Sequence, residues 1–281
     1  MTIAEALAYG RNQLNPTSPT PALDARLLLE HILQKPYSWL IAHDDTRLTD
    51  AQRHQYQQLL QRAQQKEPIP YITGHAPFYG LDFLVSPAVL IPRPETEQLV
   101  EMAIRWATAH HARHIVDVGT GSGCIPIVLA RHLPQAQVTA VDISQPALQI
   151  AHQNAQRLAP GRIHFHHGSL LEPVTQSIDL LTANLPYISD AEWTELDDGV
   201  KWFEPAIALR GGQDGLALIQ QLLKQAVNKL KPVSAIFLEI GWQQGSAAIH
   251  LAQSIFPNAS ISLIQDYAGH DRIVTVEMIN D

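Results

Sequence analysis

Two textures of apolar patterning divide this chain of 281 residues. From residue 1 to about 70, apolar positions recur every three or four residues, which predicts helices with one buried face each. Ile3, Ala6, Leu7 and Leu14 make one stripe, and Leu23, Leu27, Leu28, Ile32 and Leu33 a second. Tyr37-Ser38-Trp39-Leu40-Ile41 predicts a short helical turn, and Tyr56, Leu59, Leu60 and Ala63 a third long helix. Thr2 with Glu5, and Thr49 with Gln52, have capping-box spacing at two helix starts. From Tyr71 to Pro92 the pattern changes. Phe78–Val85 followed by Val89–Pro92 predicts a β-hairpin, punctuated by Gly80 and Ser86-Pro87. Arg93-Pro94-Glu95-Thr96-Glu97 then opens a helix, with proline early and acids in its first turn.

Beyond that helix, short apolar runs alternate with helical periodicity. Strands are predicted at 114–118, 137–142, 162–167, 178–184, 234–240 and 272–278, with a further edge strand at 260–264. Helices are predicted at 125–133, 145–156, 213–230 and 245–255. Such alternation specifies an α/β domain with a mainly parallel sheet and helices on both faces. Ligands of these sheets sit beyond the C-terminal strand ends. The expected organisation is a helical domain over 1–70, a β-hairpin linker over 71–92 and an α/β domain over 93–281.

Strand 114–118 runs into Gly119-Thr120-Gly121-Ser122-Gly123, with glycine at alternate positions before a helix. Glycines let a backbone take positive φ and approach a ligand closely. About twenty residues later strand 137–142 ends in Asp142, placed to accept hydrogen bonds from ribose hydroxyls. Dinucleotide sites carry G-x-G-x-x-G facing a pyrophosphate. Here the spacing is G-x-G-x-G, with no Lys or Arg in the loop. It resembles the first motif of S-adenosylmethionine (SAM) methyltransferases, whose cofactor has a ribose and no phosphate.

Composition narrows the partners. Lys plus Arg number 19 against 27 Asp plus Glu, a formal net charge of −8. That balance argues against a protein whose main task is gripping nucleic-acid phosphates. The 14 histidines lack acid or cysteine partners at ligand spacing, so no metal is expected. A single cysteine allows no internal disulfide, and Cys124 is expected as a small core residue of a helix. No apolar run approaches a membrane span, and Met1-Thr2-Ile3-Ala4-Glu5 lacks a signal-peptide pattern. A cytoplasmic location is expected.

Strand 178–184 ends in Asn184-Leu185-Pro186-Tyr187. An asparagine side-chain carbonyl and the next backbone carbonyl can both accept from one –NH2 group, which aims the nitrogen lone pair. Tyr187 is expected to pack on a planar substrate group. The motif resembles Asn-[Pro/Leu]-Pro-Tyr of methyltransferases acting on planar nitrogens. Further matches are Glu67-Pro68-Ile69 with Tyr71-Ile72 and Gly74, and Val89-Leu90-Ile91-Pro92-Arg93-Pro94-Glu95-Thr96-Glu97. Phe203-Glu204-Pro205 with Ala208-Leu209, Gly211-Gly212 with Asp214-Gly215-Leu216, Leu238-Glu239-Ile240-Gly241, and Asp266, Gly269 and Asp271-Arg272 extend them. Together, from about Leu23 to Val276, the chain resembles the HemK/PrmC family of peptide-chain release factor N5-glutamine methyltransferases.

The resemblance implies a class I SAM-dependent methyltransferase domain, Rossmann-like, behind a small N-terminal helical domain that meets the release factor. It implies methylation of the side-chain amide nitrogen of the glutamine in the Gly-Gly-Gln motif of class I release factors, a translation-termination substrate. Gly119, Thr120, Gly121, Ser122, Gly123, Asp142, Leu170 and Asn184 would bind the cofactor. Asn184, Leu185, Pro186 and Tyr187 would hold the amide. The chain departs from the family at Leu185, usually proline, and at Ser169, often aspartate. Lys231-Pro232-Val233-Ser234 replaces the usual Gly-Gly turn. Gly211-Gly212-Gln213 echoes the substrate's tripeptide, but its context matches a family loop. Two alternatives stand beside this reading. A nucleic-acid adenine methyltransferase would capture a flipped base, against the acidic balance. A non-catalytic SAM-binding module would have no need of the amide clamp.

Overall fold

The structure, a computed structural model, describes residues 1–196 and 198–278. Residues 197 and 279–281 of the expected 93–281 domain lie outside the described residues. The chain forms two compact units. One holds residues 1–75 and the helix Asp198–Phe203; the other holds the remaining described residues from Ala76.

The first unit is helical, over Ile3–Leu14, Pro21–Leu33, Tyr37–Ala42, Asp50–Gln64 and Ile69–Thr73. Both capping boxes form, Thr2 with Glu5 and Thr49 with Gln52. Ile3, Leu14, Leu28, Leu29, Leu40, Tyr56 and Leu60 fill its core. The second helix buries Ala25, Leu28 and Leu29, and leaves Leu23 at the surface. Its stripe is therefore rotated from the expected one. Gly10 sits in mid-helix for a steric reason. A Cβ there would lie 2.0 Å from Tyr56 Oη, whose hydroxyl donates to the Ala25 carbonyl at 3.0 Å.

Next in the chain, β1 (His75–Phe78) and β2 (Leu81–Leu84) pair around Tyr79-Gly80. Both turn residues take positive φ, 51° and 71°, as a tight two-residue hairpin turn requires. The expected hairpin arm at 89–92 is absent. Ser86 accepts from Val89 in a turn of its own, and Pro92 and Pro94 have no N–H for a ladder. The Ile91 N–H goes instead to Glu204 Oε2 at 3.3 Å. Residues 85–93 form an irregular strap.

The main sheet uses β3 (His114–Val118), β4 (Gln137–Asp142), β5 (Ile163–His167) and β6 (Ile178–Ala183). Two short strands, β7 (Ile188–Ser189) and β8 (Arg210–Gly212), pair parallel outside it. The sheet is completed by β9 (Leu230–Glu239), β10 (Ser260–Gln265) and β11 (Asp271–Met278). Its order is β10-β11-β9-β6-β3-β4-β5. Every pairing from β9 to β5 is parallel, and β11 runs antiparallel to both neighbours. Alternation along the strands feeds two cores. Ile115, Leu180 and Phe237 pack with helices Pro94–Ala109 and Cys124–His132. Val116, Leu181 and Ile236 pack with helices Ala217–Ala226 and Gly245–Ile255. The fold of the second unit is that of a class I methyltransferase domain, and the first is a small helical unit.

The helix expected over 213–230 spans Ala217–Ala226 only. Gly212 and Gly215 take φ of 89° and 73°, which no helix accommodates, and Asp214 Oδ1 caps the Leu216 N–H at 2.9 Å. At the other end, β9 begins at Leu230 and runs through Pro232.

Candidate active site

The strand order changes direction between β3 and β6. From β3 the chain moves to β4 and β5, then returns to β6 on the opposite side. Loops at such a switch diverge and leave a crevice. A cavity of about 520 Å³ opens there, within the usual range for small-molecule sites.

Nine of the sequence-predicted residues line this cavity: Gly119, Thr120, Gly121, Ser122, Asp142, Leu170, Asn184, Leu185 and Pro186. They come from the C-terminal ends of β3, β4, β5 and β6. Two do not line it. Gly123 caps the helix Cys124–His132 at φ 80°. A Cβ there would lie 3.2 Å from Ala151 Cβ and from Ile127 Cδ1, so this glycine serves helix packing. The Tyr187 ring passes beside Gly241, 3.4 Å from where a Cβ would stand. Burial, and then the Glu239 charge, push its phenol pKa up.

The glycine loop is shaped by backbone constraints. Gly119 and Gly121 have φ of 74° and 55°. Gly119 and Thr120 N–H both donate to the Val141 carbonyl, at 2.9 and 3.2 Å. Asp142 holds the same loop, accepting from Gly121 N–H at Oδ2 and from Ser144 N–H at Oδ1, both at 2.8 Å. Burial raises its pKa, and the N–H groups of Ser144, Gly121 and Ile143 oppose that. Each carboxylate oxygen keeps a lone pair for a ligand hydroxyl. Leu170 is held in the left-handed region at φ 48°. That conformation costs about 1–2 kcal/mol for a residue with a side chain, and strain of this kind gathers at ligand sites.

Beneath the loop, Asp117 is fully buried. Thr182 donates to its Oδ1 at 2.8 Å. Among the described residues, Oδ2 and the nearby Thr120 hydroxyl fall short of hydrogen-bond geometry with any group. Burial raises the Asp117 carboxyl to about 7, with the Thr120 and Thr182 hydroxyls pulling it back in part. The Cys124 thiol is pushed up to about 12, chiefly by burial, and is a poor nucleophile at neutral pH.

The second half of the site is a backbone crossing. The Pro186 and Tyr187 carbonyls lie against Gly211 and Gly215, whose added Cβ atoms would stand 2.6 Å from Pro186 O and 2.1 Å from Tyr187 O. Gln244 locks the crossing. Its Nε2 donates to Tyr187 O at 2.8 Å and to Asp214 O at 3.1 Å, and its Oε1 accepts from Gly241 N–H at 2.9 Å. The Arg93 guanidinium pairs with Glu204, whose carboxylate is 1% exposed. The pair ties the 85–93 strap to the segment carrying Ala206, Ile207 and Ala208, and both line the cavity. Asn184 Nδ2 donates to the Thr96 hydroxyl at 3.3 Å, and that hydroxyl donates to Glu239 Oε2 at 2.6 Å.

Thr96, Glu204, Glu239 and Gln244 were not expected site residues. Three of them stand in motifs that carry the family resemblance, which was the available signal; Gln244 had none. Among the described residues no group of three or more His, Cys, Asp or Glu could hold a metal. Nor is any helix long and apolar enough to cross a membrane.

Residues 5–74 match the family described as PrmC N-terminal domain, and residues 97–199 match Methyltransferase small domain. A methyltransferase structure from Pyrococcus furiosus shares the fold, with a TM-score of 0.51 at 16% identity, covering 80% of this chain and 97% of that one. A release factor glutamine methyltransferase of Enterococcus faecalis is 44% identical over 75% of this chain and 76% of its own. One from Koribacter versatilis is 38% identical over 98% of both chains. At that identity and coverage, the chain belongs to the family of release factor glutamine methyltransferases.

Proposed function

We propose that this chain transfers a methyl group from S-adenosylmethionine to the side-chain amide nitrogen of the glutamine in the Gly-Gly-Gln motif of class I peptide-chain release factors. The reaction belongs in the cytoplasm, with a protein as substrate and neither nucleic acid nor membrane as partner. One observation carries the reading. The acid-anchored glycine loop and the Asn184-Leu185-Pro186 clamp line one cavity.

The residues present fit the cofactor. The buried Thr120 hydroxyl, beside Asp117, lines the cavity and keeps acceptor capacity for a ligand. Asp142 has acceptor capacity for ribose hydroxyls, while Ile125, Val141 and Leu170 supply apolar wall for a base. The loop carries no cation for a pyrophosphate. When bound, S-adenosylmethionine supplies a methyl group on a positively charged sulfur.

An amide nitrogen is a weak nucleophile because its lone pair is delocalised. The clamp's contribution is alignment together with acceptors that stabilise positive charge developing on nitrogen. Asn184 Oδ1 and the Leu185 carbonyl each accept one amide hydrogen, turning the lone pair toward the cofactor side of the cavity. The amide nitrogen carries a positive charge once it has taken the methyl group. In that cationic form it is strongly acidic and loses one proton without a dedicated base, which gives the neutral N-methyl amide. Tyr187 supports the clamp through its backbone carbonyl on Gln244.

The test is single-turnover transfer of labelled methyl to a purified release factor or to bulk RNA, by the parent and by Asn184→Ala. The label is expected in the release factor alone, and Asn184→Ala is expected to lose about a hundredfold or more with cofactor affinity little changed. Label in RNA, or undiminished turnover by Asn184→Ala, would overturn the reading.

A further inference from the structure

The proposed clamp works only if Asn184 presents its carbonyl, and not its –NH2, to the substrate. The two ends of a side-chain amide are nearly the same size, so shape alone does not choose between them. Hydrogen-bond polarity does. Asn184 Nδ2 donates to Thr96 Oγ1 at 3.3 Å. That hydroxyl has one hydrogen, and it is committed to Glu239 Oε2 at 2.6 Å. Toward Asn184 the threonine can therefore only accept. The arrangement is directional from the buried end outward.

We infer that Glu239, through the Thr96 hydroxyl, is the positioning group that sets the orientation of the Asn184 amide and so makes the clamp an acceptor site. The inference rests on the function proposed above and names what enforces it. Glu239 is 1% exposed at the end of β9 and Thr96 is 2% exposed in the first turn of the helix Pro94–Ala109. Thr96 and Asn184 line the cavity, whereas Glu239 does not. Among the described residues Asn184 Oδ1 has no protein donor, which leaves it for the substrate.

A buried carboxylate is a costly way to hold a threonine. Burial raises the Glu239 carboxyl to about 7; the Thr96 hydrogen bond and the Arg272 charge oppose this, and Glu95 adds to it. The Asn184 amide, as a donor toward the same carboxylate, lowers it slightly, which favours the same amide orientation. Tyr187 and Cys124 are further titratable groups that feel its charge. An apolar or amide side chain would be cheaper for the fold. An ionised carboxylate offers something neither does, because it only accepts. A glutamine in its place can turn either end to Thr96. Once Thr96 accepts from it, the threonine hydrogen is free to point at Asn184, and the amide turns over. The flipped clamp would then set donor against the substrate's own donor.

Single-turnover methylation of a release factor at pH 8, where Glu239 is ionised, compares the parent with Glu239→Gln, Thr96→Val and Thr96→Ser. Melting temperature and cofactor affinity are measured on each. Glu239→Gln and Thr96→Val are expected to lose roughly 10- to 100-fold in turnover, with KM and cofactor affinity within about threefold. Thr96→Ser, which keeps the hydroxyl, is expected within about threefold of the parent. The melting temperature of Glu239→Gln should not fall, since a buried charge is removed. Undiminished turnover in Glu239→Gln and Thr96→Val would overturn the inference while leaving the proposed function intact. So would a loss in Thr96→Ser equal to that in Thr96→Val, or a loss that follows the melting temperature. If the parent itself transfers no methyl to the release factor, the proposed function fails instead.

Discussion

Leu185 stands where the family usually has proline, and its role in the clamp uses only a backbone carbonyl. Leucine and proline both possess one. Proline would fix φ near −65°, but Leu185 precedes Pro186 and is already biased to extended backbone. Its N–H makes no hydrogen bond among the described residues outside the strands, so proline removes no donor in use. The side chain has a separate task. It is 4% exposed, and a Cβ on Gly119 would stand 3.0 Å from Leu185 Cδ2, so leucine packs on the glycine loop. Leu185→Pro is therefore expected to keep single-turnover methylation within about tenfold, or roughly 1.4 kcal/mol of barrier. A calorimetric melt should show about 1–2 kcal/mol of lost stability from the missing methyl groups. Abolished turnover in a folded variant would mean that the leucine side chain itself shapes the clamp.

At the level of elements, what was legible in the sequence is what local chemistry decides. The capping boxes at Thr2 and Thr49 form because Ser/Thr and Glu/Gln three apart satisfy each other wherever a helix starts. The alternating strands were legible for the same reason, since burial on both faces leaves short apolar runs. The failures are non-local. The 89–92 segment has strand composition, but its backbone is claimed by Glu204, more than a hundred residues away. Tyr187 reads as a substrate platform, and its ring lies beside Gly241, 3.4 Å from where a Cβ there would stand, outside the residues that line the cavity. Gly211 is the most instructive case, because Gly211-Gly212-Gln213 resembles the substrate's own tripeptide. Its glycine has a steric explanation. An alanine Cβ at 211 would stand 2.6 Å from Pro186 O and 2.7 Å from Gly215 Cα, both backbone atoms that cannot rotate away. Gly211→Ala is expected to displace the Pro186 carbonyl and cut turnover by about a hundredfold. Gly80→Ala is the control. It meets nothing within 4 Å but must hold φ +71°, so it should cost about 1–2 kcal/mol of stability and leave turnover unchanged. Equal turnover losses in both would trace the effect to general destabilisation.

For the whole molecule, the helical unit poses a separate question, since none of its described residues lines the cavity. It has a well-filled core of its own and both its capping boxes, so burying apolar surface is sufficient reason for it to fold. Recognition of the release factor is the role we propose for it, in line with its match to a domain named for this family. The chain does not divide cleanly between the units. The helix Asp198–Phe203 belongs to the first unit although it follows β7 of the second, and Lys66 Nζ pairs with Asp198 at 3.1 Å. A chain beginning at Ala76 would keep that helix and lose its partners, with Trp202 already 76% exposed. Its integrity is therefore checked by cofactor calorimetry before any activity is compared. The described residues that line the cavity all belong to the second unit, so the shortened chain is expected to bind S-adenosylmethionine within about threefold of the parent. On a short Gly-Gly-Gln peptide the two should have similar kcat/KM, because the peptide reaches only the clamp. On an intact release factor the shortened chain is expected to lose at least about tenfold, or roughly 1.4 kcal/mol, mostly through KM. That split is the signature of binding energy contributed away from the reacting atoms. A shortened chain that binds the cofactor and methylates the intact factor as well as the parent would leave the helical unit without a recognition role.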